Sequence, residues 1–212
     1  MKKLNLVLAV LVVLCLLSGC HGSEGVEMTT GNSQSNGYMA APRVVKIRSE
    51  EALQELLNMT TMSDAAFNEF MIQKAGSADY SGIESKDEVS ALSQLIQEVG
   101  LPVVKNKNLV ESYILSYRPE QQMYDVKYII NGVIYGFQYT PFEEFIDRSE
   151  MEPIAEYTLG GTEFPVYQGV NAVGGEIYAN GYQILIYIKN FTNVNVLDIA
   201  QFTWSTDMHY IK

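Results

Sequence analysis

The sequence predicts an α+β fold: N-terminal helices followed by an antiparallel β-meander with short helices packed on one face. Three observations predict it. Between Arg43 and Val104, apolar residues recur at helical spacing behind serine caps. After Leu109 the apolar period falls to two. The period-two region is punctuated by the turn dipeptides Asn131-Gly132, Gly160-Gly161 and Asn180-Gly181.

The elements follow in chain order. Val44, Val45 and Ile47 suggest a short strand, and Ser49 caps a helix carrying Leu53, Leu56 and Leu57. Ser63 caps a second helix with Phe67, Phe70 and Met71 on one face. Ser85 and Glu88 form the S-x-x-E capping box of a third, which buries Val89, Leu92, Leu95 and Ile96 and stops at Gly100-Leu101-Pro102. The clearest hairpin is Met123–Tyr139 about Asn131-Gly132, a type I′ signal. A two-residue loop there pairs Ile130 with Val133, Tyr128 with Tyr135, Val126 with Phe137 and Tyr124 with Tyr139. All eight then share one face, and Asp125, Lys127 and Gln138 share the other. Thr140-Pro141-Phe142-Glu143 reads as the start of a short helix burying Phe142, Phe145 and Ile146. Ile154–Tyr167 and Gly175–Ile188 read as further hairpins, and Asn195 caps a last short helix through Val196, Leu197, Ile199 and Ala200. Two hairpins share an Asn-Gly turn followed by a capped helix, which a common local motif used twice explains better than a duplication.

Ahead of this domain the chain reads as an address. Met1-Lys2-Lys3 is positive, and Leu4 to Leu17 is apolar apart from Asn5. That run falls short of the roughly 20 residues that cross a bilayer but fits a signal-peptide core. Leu17-Ser18-Gly19-Cys20 then matches the bacterial lipobox. The Cys20 thiol takes a diacylglyceryl group as a thioether, and small Ser18 and Gly19 admit the peptidase. Two or more acyl chains, palmitate-like in length, hold a protein stably at about 0.8 kcal/mol per buried CH2. Residues 1–19 are therefore expected to be a lipoprotein signal peptide. Residues 20–42, rich in Gly, Ser, Thr and Asn, are expected to be a lipid-anchored flexible tether. Residues 43–212 form a single domain, expected on the extracytoplasmic face of a bacterial membrane.

Composition limits what the domain can do. Removal of Lys2 and Lys3 with the signal takes the formal charge from −11 to −13. A nucleic-acid surface needs clustered Lys and Arg, so no nucleic-acid partner is expected. Cys15 leaves with the signal and Cys20 is acylated, so a packed core, fed by 47% apolar residues and fourteen tyrosines, must supply the stability. His21 and His209 are the histidines, which disfavours a zinc site or a Cys-His nucleophile, and no cofactor is expected. There is no Gly-x-Ser-x-Gly elbow, Walker loop or His-Glu-x-x-His. Glu143, Glu144, Asp147, Glu150, Glu152 and Glu156 crowd one stretch, but their spacing selects no catalytic pair and suits a solvated acidic face. Aromatics alternating along the strands suit a core better than a sugar platform.

Ser77–Glu88 echoes a calcium-binding EF-hand loop, with Gly82 at the sixth place and Glu88 at the twelfth. Only Asp79 and Glu88 are well placed as ligands, and Ser77 stands where the loop wants Asp. Any calcium site here is expected to be millimolar or absent, and the capping box already accounts for Ser85 and Glu88.

Tyr178-Ala179-Asn180-Gly181-Tyr182, the strand Gln183–Ile188 and Val196-Leu197-Asp198-Ile199-Ala200 carry a resemblance. From about Leu109 onward the chain resembles uncharacterised extracytoplasmic domains of Gram-positive lipoproteins and anti-sigma-factor-like membrane proteins. That resemblance implies no catalytic residues and leaves Arg43–Val104 outside it. The expected function is a membrane-anchored, non-catalytic binding or accessory module of the cell envelope. Its expected partners are the membrane, through the lipid, and an envelope protein, peptide or glycan. The alternatives are a sensor or regulatory partner of a membrane signalling protein, or a carboxylate-dependent envelope hydrolase. A cleft holding two close acids, one with a raised pKa, would favour the hydrolase.

Overall fold

Serines start the helices. Ser49, Ser63 and Ser85 sit in extended backbone, and each Oγ accepts the N–H three residues on, from Ala52, Ala66 and Glu88. The helices that follow are α1 (Glu50–Asn58), α2 (Asp64–Gln73) and α3 (Lys86–Val99). The coordinates are those of a computed structural model, which describes residues 42–191 and 199–211. α1 buries Ala52, Leu53 and Leu56, and α3 buries Val89, Leu92, Leu95, Ile96 and Val99. On α2 only Phe67 is fully buried, while Phe70 and Met71 pack at the edge of the core.

The strands are β1 (Val45–Ile47), β2 (Tyr80–Ser81), β3 (Pro102–Val104), β4 (Val110–Arg118), β5 (Met123–Ile130), β6 (Val133–Pro141), β7 (Ala155–Leu159), β8 (Thr162–Gln168), β9 (Val173–Ala179), β10 (Tyr182–Lys189) and β11 (Phe202–Trp204). Nine of them make one antiparallel sheet in the order β2-β1-β4-β5-β6-β10-β9-β8-β7, and β3 and β11 pair separately. The α+β class stands: one large antiparallel sheet with a few short helices.

Period-two alternation decides what each face does. Register sets Leu115 against Val126, Val126 against Phe137, Phe137 against Ile186 and Ile186 against Gly175 across the core face. The four pairings expected for the β5–β6 hairpin are all present. Phe202 on β11 closes the core, with its ring 5.1 Å from Phe137 and 5.3 Å from Tyr128 and Tyr135.

The strand order contains two crossovers, one from β2 past β1 to β4 and one after β6. β10 lies beside β6, so the chain must pass from the sheet's middle to its far edge between Pro141 and Ala155. Residues 142–154 make that passage across the outer face of β9 and β8. Phe142 N–H donates to the Gly181 carbonyl at 2.9 Å, and Ile146 N–H donates to the Tyr178 hydroxyl at 3.0 Å. Phe142, Phe145 and Tyr178 meet edge to face. Arg148 forks onto Glu176, its Nε at 2.6 Å, and lies over the Tyr167 ring.

These anchors replace the helix expected after Thr140. β6 runs on to Pro141, paired with Tyr182, and the next residues form no helix. Phe145 and Ile146, expected in the core, are 51% and 40% exposed. The sequence signal for a helix start was correct in type, but strand pairing took the residues first. Most of the last expected helix lies outside the described residues, and Ile199–Gln201 forms a 3-10 turn.

Candidate functional site

The first turn of α1 carries Glu50 and Glu51, which the local sequence needs only as acids near a helix N-terminus. The fold gives them a second setting. Between α1, the chain at Leu101–Val103 and the tyrosines Tyr113 of β4 and Tyr128 of β5 lies a cleft of about 620 Å³. A cavity of about 220 Å³ adjoins it, sharing Glu50, Glu51, Lys107 and Tyr113. The larger cleft falls in the size range of small-ligand sites, about 300–1,000 Å³.

Its polar groups are arranged around Glu50. Glu50 Oε1 accepts from the Tyr128 hydroxyl at 2.9 Å, and Oε2 from Lys107 Nζ. The same phenol lies 2.8 Å from the Pro102 carbonyl, so one proton serves two acceptors. Lys107 is held above the usual lysine range by the hydrogen bond it donates to Glu50 and by that carboxylate's charge. Burial pushes the Tyr128 phenol up, and Tyr113 and Glu50 add to that. Burial, then the field of Glu50, raises Tyr113. Tyr113 packs edge-on to Tyr128 at 5.2 Å and lines both cavities.

Glu55, Gln54, Asn58 and Ser205 complete the polar lining. Glu55 accepts from Lys74 at 2.8 Å and from the Tyr80 hydroxyl at 2.9 Å, and these two bonds, Lys74's first, hold its carboxyl below the usual range. Both Glu50 and Glu55 are thus fixed as acceptors facing a cation and a phenol.

Ser77–Glu88 is divided between a short strand and a helix start. β2 runs through its middle, pairing Tyr80 and Ser81 with β1. Asp79 accepts from the Ser77 hydroxyl at 3.1 Å. Glu88, its side chain 6% exposed, takes a hydrogen bond from Arg43 and another from Glu84 N–H at 3.1 Å. The two expected ligands are committed to different partners. The capping box is realised in one arm: Ser85 Oγ accepts from Glu88 N–H, while the Glu88 carboxylate reaches Glu84 N–H instead of Ser85. Gly82, at φ +77, packs so closely that a Cβ would sit 2.4 Å from the Val44 carbonyl oxygen, so it serves the β1–β2 contact.

The lipobox residues Leu17, Ser18, Gly19 and Cys20, and His21 of the tether, lie outside the described residues. The acidic stretch from Glu143 to Glu156 spans the crossover and the start of β7, mostly exposed and without a convergent pair. Tyr128 and Tyr135 are buried, so they build the core rather than a sugar platform. No known protein family, curated protein or solved structure matches this chain. Sequence reasoning missed the cleft. Its lining comes from stretches near residues 50, 101, 107, 113, 128 and 205, brought together only by the tertiary fold.

Proposed function

We propose that this protein is a membrane-anchored extracytoplasmic lipoprotein acting as a non-catalytic binding module of a bacterial cell envelope, with a glycan-type ligand in the α1–β3 cleft. In this reading, residues 20–42 tether a module whose helices precede the sheet and lie on one of its faces. The lipobox supports the anchor, since Leu17-Ser18-Gly19-Cys20 follows a short apolar core.

The observation that carries the binding role is a cleft of about 620 Å³ lined by Tyr113 and Tyr128 and rimmed by carboxylates and amides. Glu51, Gln54, Glu55 and Asn58 offer acceptors and amide donors to one another's ligand at helical spacing. A polyhydroxylated ligand supplies donors and acceptors in that pattern. Tyr113, which lines the cleft and whose phenol burial keeps neutral, supplies one hydrogen bond to it.

Calorimetric titration with oligosaccharide fragments of a bacterial wall, neutral and amino-sugar, tests it. Tyr113→Phe is expected to weaken binding about five-fold, one hydrogen bond at about 1 kcal/mol. No heat for any fragment, or equal affinity in Tyr113→Phe, refutes the cleft as the site. The anchor is tested apart: Cys20→Ala is expected to abolish incorporation of labelled palmitate and to leave an uncleaved precursor. An unmodified Cys20 in the wild-type intact mass refutes the anchor.

A further inference from the structure

The outer face of the sheet, away from the cleft, is divided into two unlike halves. Over β9 and β8 it is raised by the crossover segment 142–154. That half exposes Phe145, Ile146, Met151 and Ile154, each between 40% and 51%, among the exposed acids Glu143, Glu144, Asp147, Glu150 and Glu152. Its one cation, Arg148, is spent on Glu176 and Tyr167. A large apolar group left in water beside acids is the anatomy of an interface centre with a polar rim.

The other half, over β1, β4, β5, β6 and β10, has no such cover among the described residues and carries the opposite charge. Lys46 shares a row with Ser116, Asp125, Gln138 and Leu185. Lys127 lies two strands over and two residues along from Lys46, and Lys189 repeats the same step from Lys127. The three lysines therefore form a straight diagonal with a pitch of about 12 Å, from strand spacing near 4.8 Å and a rise near 3.4 Å per residue. Arg118 flanks Lys46, on the strand paired with it. Half-buried Ile114, Ile129, Ile134 and Leu185 fill the gaps. The acid in this field, Asp125, is buried and already bound by Lys127 at 3.0 Å and the Tyr187 hydroxyl at 3.2 Å.

We propose that two copies of this chain associate face to face through the outer sheet surface. The acidic, apolar crossover segment of each copy seats on the lysine diagonal of the other. The geometry is self-complementary. A half-turn about an axis parallel to the strands, near the β6–β10 boundary, places β9, β8 and β7 of each copy over β5, β4 and β1 of the other and satisfies both contacts at once. The area suffices. The eight strands that overlap about that axis, β1 and β4 to β10, average about seven residues and cover about 38 by 24 Å, on the order of 900 Å², against about 800 Å² per partner in a standard interface.

The test uses the full chain in density-matched non-ionic detergent, read by sedimentation equilibrium. Wild type is expected at two copies at low salt, with association weakened at least ten-fold by 0.5 M salt. Lys46→Glu with Lys189→Glu, which leaves Asp125–Lys127 intact, is expected to be monomeric. Glu144→Lys with Glu150→Lys, on the exposed segment, is expected to be monomeric too. Mixed together, these two variants restore both contacts and are expected to form a one-to-one heterodimer; this also shows that each is folded. A wild type that stays monomeric to about 100 μM overturns the proposal, since a Kd looser than about 10⁻⁴ M is no specific pair. A dimer indifferent to either reversal, or variants that fail to pair when mixed, overturns it as well.

Discussion

Raising the pH should unfold this protein abruptly, through its tyrosines. Tyr113, Tyr124, Tyr128, Tyr139 and Tyr187 are buried, and in each case burial is the largest cause raising the phenol above its ordinary value. The native state keeps these hydroxyls protonated, while an unfolded chain releases their protons near pH 10. The folded value lies above the unfolded one, so the stabilisation is complete below about pH 10 and is lost as pH climbs toward the folded value. Each such group removes about 1.4 kcal/mol per pH unit above its unfolded value, and five together remove about 7 kcal/mol per unit. Against a total stability of about 5–15 kcal/mol, the fold should give way within about one to two units. Tyrosinate absorbance at 295 nm and far-ultraviolet circular dichroism, followed together through an alkaline titration, check this. A cooperative late rise in absorbance is expected to coincide with loss of the sheet signal. Full tyrosinate absorbance reached near pH 10 with the dichroism unchanged would refute the buried, neutral assignment of these residues.

Three further outcomes are expected. Ser85→Ala should cost about 1 kcal/mol in denaturant unfolding whether or not calcium is present, and a calorimetric calcium titration should show nothing tighter than about 10⁻⁴ M. Gly136→Ala should destabilise by about 1–3 kcal/mol, because a Cβ there would sit 2.1 Å from the Tyr187 ring. Most of that cost should vanish in a Tyr187→Ser background, measured as a double-mutant cycle. Phe202→Ala should cost about 3–5 kcal/mol, since its ring bridges Tyr128, Tyr135 and Phe137; a loss under 1 kcal/mol would mean that β11 does not close the core.

Local chemistry was legible wherever it was strong. The serine caps, the stop at Gly100 and the Asn131-Gly132 register depend on residues within a few positions of one another, and all appear as read. Competition from distant partners was not legible. Thr140-Pro141 is a sound helix start in isolation, but β10 pairs with that stretch, and nothing near residue 141 announces it. The two-residue β2 and three-residue β3 were likewise invisible, being too short to show a period and defined only by their partners β1 and β11. The cleft is of the same kind. Glu50 is explained locally by the helix dipole, and its pairing with Lys107 and Tyr128 exists only once three separate stretches meet.

The place of β10 in the sheet also governs the order of assembly. A strand near the end of the chain occupies a central position, flanked by β6 on one side and β9 on the other. Until residue 189 is available, β4–β5–β6 and β7–β8–β9 are two part-sheets with open edges, and no contact joins them through the ladder. β11 then pairs with β3 across nearly a hundred residues of sequence. Such long-range closures are slow, because loop entropy is lost before any contact rewards it. The chain therefore stays unlocked through most of its length, a loose thread that becomes a solid in its last strands.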